Sequence, residues 1–591
     1  MPAGSCPTKT KNARILFVTT FDSCNPVFSP SVALLSSILK QHGFPVFLHV
    51  SPTGETGPAF RRAIRNARPD IIAFSIFSSS WGRIRPLIPA AKRAAPAAAI
   101  IAGGYHPTFK PEDVLRSGPV DAVCIGEGEA AILEFAESIE QGRPDTGIRN
   151  LWFRNSAVPG AVIRNPLRPL IRDLDSLPPF DRDLFDRPDL KLLEDSVLGD
   201  DRGVYLKASR GCVFRCAFCA NDGLLAFYDG ASSFCRLRRP ERVVAEAKLL
   251  TEMYPGKNLM FYDEVFPTKL DWLARFADGM EQIGSPPFKV LGHCSVVNEK
   301  NLSLLKRAGC VRVSMGFECG DETYRIRRLK KNITDEAVYR AFRLVHENGM
   351  EPMAFCMIGL PDETEEQLAK TLAMLKAVKP GRVGTRLFEP LPGSPLYTYC
   401  LERGFIPGDP EWVAADEFEF IRHTHLSREQ LVDAMLEIES FNAVVSRKSR
   451  EEAVSAPDLS LCPAGLSEPE EFAHARALLA KVAADLPAST VERSLPPGWH
   501  HRGLRADKQF VVLEIENREK ILPIGFTARG TSANLFTYTD DYDISFLGDD
   551  KDVLQDADVR GALKAVLSQL ARPEGRHPRP RAPDARRRGG T

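Results

Sequence analysis

Short apolar runs alternate with helix-length amphipathic segments over the first 145 residues. The runs occupy residues 15–18, 46–50, 71–74, 99–102 and 122–125. Strands that alternate with helices favour a doubly wound parallel sheet, because the crossover helices cover its two faces. Such sheets bind ligands at the carboxyl ends of their strands. We therefore expect a Rossmann-like domain over residues 1–145, with a ligand site at that edge.

A second alternation of strands and helices starts near residue 201. It follows a stretch rich in Pro, Asp and Arg, residues 146–200, which has little periodicity and predicts an interdomain linker. The new apolar runs lie at 204–209, 259–262, 288–292, 311–315, 352–357 and 383–388. Helical patterns such as 335–348 follow them. This arrangement predicts a partial (β/α)6 barrel of the TIM type over residues 201–400.

The pattern changes again beyond residue 400. Helical periodicity at 416–442 and 469–484 is followed by strand-like runs at 509–515 and 534–546. These features predict an α+β extension over residues 401–570, so the overall fold class is α/β with that extension. Residues 571–591 combine Arg, Pro and Gly without large apolar side chains, which is typical of a disordered basic tail.

Composition narrows the classes of function. The chain has 77 Lys and Arg against 77 Asp and Glu, so no net charge draws it to nucleic acid or to an anionic membrane. No apolar run reaches the roughly 18 residues of a membrane span, and the N-terminus lacks the apolar core of a signal peptide. We expect a cytoplasmic protein that acts on a small molecule or a peptide. In that compartment, 13 cysteines are more typical of buried thiols and metal ligands than of disulfides.

Three cysteines stand in a Cys-x3-Cys-x2-Cys pattern directly after a predicted strand: Cys212, Cys216 and Cys219. Three thiolates on one short loop can bind three corners of a 4Fe-4S cluster and leave the fourth iron open to another ligand. The alternatives are a zinc site, or three buried thiols that are close only in sequence. Zinc prefers a fourth Cys or His, and none follows within about a dozen residues. We therefore predict that these cysteines are both metal ligands and catalytic groups.

This spacing, with an aromatic residue before the last cysteine, resembles the signature of the radical S-adenosylmethionine (SAM) superfamily. Segments after the predicted second, fourth and fifth barrel strands are also similar to that family, which binds SAM there. The resemblance implies that an acidic segment contacts the SAM amino group, a Glu reaches the ribose and a Gly lies near the adenine. The implied SAM-binding residues are Phe218, Asp263, Glu264, Ser314, Gly316, Glu318 and Gly359.

The N-terminal domain resembles the cobalamin-binding domain of cobalamin-dependent radical SAM enzymes. Small residues at strand ends leave room for a flat corrin. The implied cobalamin contacts are Ser75, Ser78, Gly103, Gly104, His106, Gly126, Glu127, Gly128 and Glu129. Cys24 stands where many such domains have a cobalt-binding His, so we expect no histidine ligand from that loop. A flavodoxin-like domain that holds another ligand, or none, is the alternative.

The resemblance implies a methyltransferase that uses a 4Fe-4S cluster, SAM and cobalamin. A methyl group would pass from SAM through methylcobalamin to an unactivated carbon, or phosphorus, of a natural-product intermediate. An external electron donor such as flavodoxin or ferredoxin would reduce the cluster, and the 401–570 region would set substrate specificity. Oxidative ring formation without methylation, methylthiotransfer, and a non-catalytic cobalamin sensor or carrier are the alternatives. The barrel-mouth residues Tyr262, His293, Arg386 and Glu389 are candidates for substrate contact.

Overall fold

The computed structural model forms two compact units, Met1–Leu459 and Ser460–Thr591. In the first unit it describes residues 11–20, 28–51, 56–143, 145–155, 158, 160–187, 190, 203–228, 230, 234–406 and 420–438. In the second unit it describes the backbone of residues 500–506, 510–516, 521–527 and 544–546. No described helix is both long and apolar enough to cross a membrane.

The first sheet confirms the predicted doubly wound arrangement. Its parallel strands are β1 (Ile15–Thr20), β2 (Val46–Ser51), β3 (Ile71–Ser75), β4 (Ala99–Gly103) and β5 (Ala122–Cys124). They lie in the order β2-β1-β3-β4-β5, with β1 paired to both β2 and β3. The order reverses at β1 and β3, and such a switch point opens a crevice at the strands' carboxyl ends.

Two further strands, β6 (Leu151–Arg154) and β7 (Val162–Arg164), extend this sheet within the stretch that the sequence predicted to be a linker. They pair antiparallel, β6 with β5 and β7 with β6. In β6 only Leu151 and Phe153 are buried. Four residues are too few to show a period of two clearly, which is why this strand was not predicted.

Helices cover both faces of the first sheet. Ser29 caps the first helix by accepting a hydrogen bond from the backbone N–H of Val32, and Pro30 occupies its first turn, where the missing N–H costs nothing. The helices are α1 (Pro30–Gln41), α2 (Pro58–Ala67), α3 (Trp81–Ile84), α4 (Leu87–Ala94), α5 (Tyr105–Phe109), α6 (Pro111–Arg116) and α7 (Glu129–Glu140).

The second sheet confirms the predicted partial barrel. Six parallel strands lie side by side in chain order. They are β8 (Gly203–Leu206), β11 (Asn258–Phe261), β12 (Phe288–Gly292), β13 (Cys310–Glu318), β14 (Glu351–Ile358) and β15 (Arg382–Leu387). Between β8 and β11, the two-residue strands β9 (Ser209–Arg210) and β10 (Arg236–Leu237) form a small antiparallel ribbon.

The helices of the barrel region follow its strands. They are α8 (Ala220–Phe227), α9 (Pro240–Met253), α10 (Leu270–Gln282), α11 (Glu299–Ala308), α12 (Glu322–Arg327), α13 (Asp335–Glu347), α14 (Glu365–Val378) and α15 (Pro395–Glu402). Thr364 and Gln367 form a capping box that fixes the start of α14 directly after the β14 loop. The capping box therefore fixes the residue at which the loop after β14 ends.

The second unit contains an antiparallel sheet in the order β16-β17-β18-β19. Its strands are β16 (His500–Ala506), β17 (Phe510–Glu516), β18 (Ile521–Thr527) and β19 (Ile544–Phe546). The predicted strand at 509–515 is confirmed. In the first unit, residues 428–438 are helical, whereas residues 420–427, also within the helix predicted at 416–442, are not. The helix predicted at 469–484 and the tail 571–591 lie outside the described residues.

Candidate functional site

The three cysteines of the triad lie on the loop between the β9 strand and α8, and all three thiols are free. Cys219 is the N-cap residue of α8. Cys216 is buried, and Cys212 and Cys219 are partly exposed. The cysteine loop, residues 211–219, therefore carries all three predicted ligands directly after the β9 strand. Among the described residues, no three His, Cys, Asp or Glu side chains form a set that could hold a single metal ion.

The thiols of the cysteine loop fit a positively charged inorganic group. Burial raises the pKa of Cys216 to about 11 and that of Cys219 to about 12, and the neighbouring thiols of the triad add to both rises. Burial also raises the pKa of Cys212. Thiolates are therefore costly here without a cation, and the irons of a cluster would supply the missing positive charge. Three such thiols are chemically suited to a 4Fe-4S cluster, and their role as its ligands stays a prediction.

Backbone contacts hold the cysteine loop in place. Gly211 has a φ of +85°, and a Cβ there would lie 2.3 Å from the carbonyl oxygen of Phe234. The N–H of Ala217 donates to the Leu329 carbonyl at 2.8 Å, and the N–H of Leu396 donates to the Ala217 carbonyl at 2.8 Å. The loop is thus fixed to two segments that lie far from it in sequence.

His293, which directly follows strand β12, supports the same loop. Its ring stacks on Phe214, with centroids 3.6 Å apart and planes 13° from parallel. Burial, with a smaller contribution from Lys331, lowers the pKa of His293 to about 3. The imidazole is therefore neutral, as stacking in an apolar environment favours. The structure places the His293 ring against the cysteine loop, and its suggested contact with the substrate stays a prediction.

A buried ion pair that the sequence analysis missed lies beside the cysteines. The Lys331 Nζ is 3.0 Å from Glu318 Oε1 and 5.8 Å from the ring centroid of Phe218. Burial would lower the pKa of Lys331, but Glu318 and the thiols of Cys216 and Cys294 raise it. A positive charge therefore persists next to the predicted cluster ligands.

Arg325 positions the segment that carries Lys331. This arginine is fully buried and donates hydrogen bonds to the carbonyls of Ile333, at 2.8 Å, and Cys319, at 2.7 Å. It also pairs with Asp335 at the start of α13. Buried charges persist only where such partners satisfy them. Arg325 thus fixes the turn after α12 that places Lys331 against Glu318.

Two acidic residues that follow β11, Asp263 and Glu264, contact the segment that leads into the cysteine loop. The Asp263 carboxylate is buried and accepts hydrogen bonds from the N–H of Ala208, at 3.0 Å, and from the Ser209 hydroxyl, so it anchors the segment that leads to the cysteines. Burial raises the pKa of Asp263 to about 6. Glu264 Oε1 pairs with Lys207 at 3.1 Å, and its buried Oε2 has no hydrogen-bond partner within the described chain. An unsatisfied buried oxygen suits a ligand amino group.

The other predicted SAM-binding residues lie in the second half of β13 or directly after β14. Ser314 is buried, and a Cβ at Gly316 would lie 2.0 Å from Glu318 Oε1, so a larger residue there would displace that carboxylate. Glu318 itself has a φ of +66°, an uncommon conformation for a non-glycine residue. Gly359 follows β14 with a φ of +70°. These residues share the carboxyl edge of the barrel with the cysteines, while their contacts to SAM stay a prediction.

A cavity of about 330 Å³ lies between the first sheet and the barrel. Its wall includes the ends of β3 to β5, the β9 strand and Glu264, three residues after β11. Predicted site residues on this wall are Ser75, Gly103, Gly104, Gly126, Glu127, Gly128, Glu129 and Glu264. The carboxyl ends of β3 to β5 and the barrel segments that follow β8 and β11 therefore open into the same space.

Close backbone approach explains the glycines at the cavity wall. Gly104 has a φ of +109°, and a Cβ there would lie 2.6 Å from the Ile76 carbonyl oxygen. Gly126 has a φ of +71°, and a Cβ there would lie 2.1 Å from the hydroxyl of Tyr228 in α8's C-cap position. Glycine at these positions leaves the strand ends bare of side chains, as a flat ring system requires.

His106 and Ser78 lie away from this cavity. The His106 ring is buried, stacks on Trp81 at 4.8 Å and has its Nδ1 3.3 Å from the Ser78 hydroxyl. Burial lowers the pKa of His106 to about 4. Neither side chain lines the cavity wall, so their predicted cobalamin contacts have no support from this arrangement. Cys24, predicted to replace a cobalt-binding His, lies outside the described residues.

Two known protein families match this chain, one in the region of the first sheet and one in the region of the barrel. Residues 24–136 match the family model of the B12 binding domain, and residues 206–375 match that of the radical SAM superfamily. An uncharacterized methyltransferase of Pyrococcus horikoshii is 28% identical over 347 residues, which cover 58% of this chain and 72% of that protein. An anaerobic magnesium-protoporphyrin IX monomethyl ester cyclase of Rubrivivax gelatinosus is 27% identical over 381 residues, which cover 62% of this chain and 65% of the cyclase.

The fold is also similar to a solved structure. The radical SAM methyltransferase TsrM of Kitasatospora setae, solved with cobalamin and a [4Fe-4S] cluster, superposes with a TM-score of 0.53 at 17% identity. The match covers 73% of this chain and 91% of that one. Two family matches in the expected order, on a doubly wound sheet and a partial barrel, thus account for both cofactor-binding halves. The chain therefore contains a B12 binding domain followed by a radical SAM domain, which imply cobalamin, SAM and a 4Fe-4S cluster as cofactors, and it is similar to an uncharacterized methyltransferase with which it shares 28% identity.

Proposed function

We propose that this chain transfers a methyl group from SAM to an unactivated carbon, or phosphorus, of a small-molecule or peptide intermediate. The observation that carries the proposal is the cavity shared by the carboxyl edges of the two sheets. The cluster would supply the electron that cleaves SAM, and cobalamin would supply a carrier for the methyl group. A substrate between the two sheets would then be within reach of both.

The residues of the chain divide the remaining tasks. Cys212, Cys216 and Cys219 would hold the cluster, and the free oxygen of Glu264 would accept a hydrogen bond from the SAM amino group. The Lys331 ammonium would hold Glu318 in place near the SAM ribose. The bare strand ends at Gly103, Gly104, Gly126 and Gly128 would receive the corrin.

Anaerobic reconstitution tests this function. Purified protein is loaded with iron, sulfide and cobalamin and is supplied with SAM, a flavodoxin or ferredoxin as one-electron donor, and a panel of candidate substrates. Formation of a product heavier by one CH2, together with S-adenosylhomocysteine and 5′-deoxyadenosine, would support the proposal. Methylated product with S-adenosylhomocysteine but no 5′-deoxyadenosine would contradict the radical route and indicate polar transfer.

Oxidative ring formation is the second candidate, and the similarity to the Rubrivivax cyclase favours it. The same cofactors would then remove hydrogen from the substrate without adding carbon. Product mass separates the two functions, because a cyclase product loses hydrogen whereas a methyltransferase product gains CH2.

A further inference from the structure

An ionic network connects the first sheet to the strand that leads into the cysteine loop. Arg210 ends strand β9, two residues before Cys212. Its Nη1 lies 3.1 Å from Glu127 Oε1, and its Nη2 lies 2.6 Å from Glu129 Oε1. Glu127 belongs to the loop after β5, and Glu129 begins α7. One guanidinium therefore binds two carboxylates of the predicted cobalamin-binding domain.

Arg236, on the paired strand β10, completes the network. Its Nη1 lies 2.8 Å from Glu127 Oε1 and donates to the Ile171 carbonyl at 2.7 Å. The N–H of Ile171 in turn donates to Glu127 Oε2 at 2.8 Å. The Glu127 carboxylate thus joins three parts of the chain: its own loop, the segment between the domains and the β9–β10 ribbon.

The side chains of this network are largely buried, so its stability depends on the exact placement of its charged partners. Side-chain exposure is 22% for Arg210, 17% for Glu127, 9% for Glu129 and 7% for Arg236. Charges taken out of water at such sites are stable only with well-placed partners, unlike ion pairs at the surface. Two arginines face two glutamates here, so the charges balance. A change in domain orientation would separate these partners at a high cost.

The network is also close to both cofactor cradles. Gly211 alone separates Arg210 from Cys212, and its positive φ and its contact with the Phe234 carbonyl leave little freedom between them. On the other side, Glu127 lies between Gly126 and Gly128, which line the shared cavity. The N–H of Glu127 also donates to the Tyr228 hydroxyl at 3.1 Å, which ties the same loop to the end of α8.

We infer that Arg210 is a positioning residue that sets the orientation of the cobalamin-binding sheet relative to the cysteine loop. The inference rests on the proposed function, because only there must two cofactors on separate domains act on one substrate. Reactions of this kind depend steeply on the placement of the reacting groups, and a displacement of about 1 Å can slow them severely. In this arrangement Glu127 and Glu129 act by holding Arg210.

The relative placement of the two cofactors can be measured without a substrate. Holoenzyme containing cob(II)alamin and the reduced cluster has two paramagnetic centres, and the cluster accelerates the spin relaxation of the cobalt to an extent set by their separation and orientation. The Arg210→Gln variant is expected to show a weaker enhancement and a broader distribution of cobalt relaxation rates than the wild type, while iron and cobalamin contents equal those of the wild type. Faster deuterium exchange of the Glu127 and Ile171 amides should accompany the loss.

The matched control is Arg275→Gln. Arg275 forms a 2.6 Å ion pair with Glu241 on an exposed surface formed by α9 and α10, so the variant loses the same charge away from the domain contact. Its relaxation enhancement and amide exchange should equal those of the wild type. A change as large in this control as in Arg210→Gln would overturn the inference.

A second variant covers the case in which Arg210→Gln fails to assemble its cluster. Glu129→Gln removes the partner on the cobalamin side and leaves the cysteine loop intact, so it should shift the relaxation in the same direction. Full cofactor loading with unchanged relaxation, in either variant, would overturn the inference. Wild-type protein that binds no cobalamin would contradict the proposed function instead, so the two failures are distinguishable.

Discussion

The Lys331 ammonium lies 3.0 Å from the Glu318 carboxylate, and both side chains are buried beside the cysteine loop. Removal of one partner leaves a buried charge without compensation, which typically costs about 3 kcal/mol or more. Lys331→Met should therefore lower the free energy of unfolding by about that amount, measured by chemical denaturation of the apoprotein. The exposed-pair control Arg275→Gln should lower it by less than about 1 kcal/mol.

A double variant separates pairing from packing. If the penalty comes from the unpaired carboxylate, Lys331→Met combined with Glu318→Met should recover much of the lost stability, because neither charge then remains buried. A double variant as unstable as the sum of the two single variants would show that the ion pair is not the cause.

The cysteine loop should account for all of the iron in the reconstituted protein. Replacement of Cys212, Cys216 and Cys219 by Ala removes the three thiolates, so iron analysis should fall from about four atoms per chain to near zero. Cys235→Ala is the matched control, because Cys235 is a free, exposed thiol outside the triad. Retention of about four irons in the triple variant would contradict the assignment.

Glu363 should make the stability of the apoprotein fall as pH rises. Burial raises its pKa from 4.5 to about 7, against hydrogen bonds from the Leu360 and Gly359 amides, and Oε1 has no hydrogen-bond partner among the described residues. The folded state therefore holds this proton more tightly than the unfolded state. Stability from Glu363 is fully present below about pH 4.5 and is lost as pH rises through about 7.

Glu363→Gln removes this titration and keeps an oxygen for the Leu360 amide, which donates to Glu363 Oε2 at 3.1 Å. The difference in thermal midpoint between this variant and the wild type should grow in favour of the variant from about pH 5 to pH 8. Scanning calorimetry at several pH values measures it. Parallel pH profiles for the two proteins would contradict the raised pKa.

The strands that carry the site could be predicted because each is an apolar run bounded by turn residues. The run at 288–292 coincides with β12, and the run at 352–357 falls within β14. The cysteine triad could be predicted because its ligands are adjacent in sequence. Periodicity and local spacing are both properties of one short segment, so one sequence suffices to read them.

The burial of Lys331 and Arg325 could not be predicted, because it depends on partners from other segments of the chain. Residues 325–331 contain five basic side chains, a composition typical of a solvated surface. The structure buries two of them because their partners come from elsewhere: Glu318 from the end of β13 and Asp335 from the start of α13. The pairing of Arg210 with Glu127 and Glu129 likewise crosses two domains. Contacts between distant segments depend on tertiary structure and leave no local pattern.

The Gly211→Ala substitution should perturb its surroundings more than the same substitution at another glycine with a positive φ. A Cβ at position 211 would lie 2.3 Å from the Phe234 carbonyl oxygen, and the φ of +85° disfavours any other residue. Because Cys212 follows directly, displacement of this backbone should lower the iron content after reconstitution as well as the unfolding midpoint.

Gly142→Ala is the matched control, since Gly142 has a φ of +64° and a Cβ there would meet nothing within 4 Å. The control should lose about 1 kcal/mol of stability from its backbone conformation and keep its iron. Equal iron contents in the two variants would show that close contact at Gly211 does not position the cluster ligands.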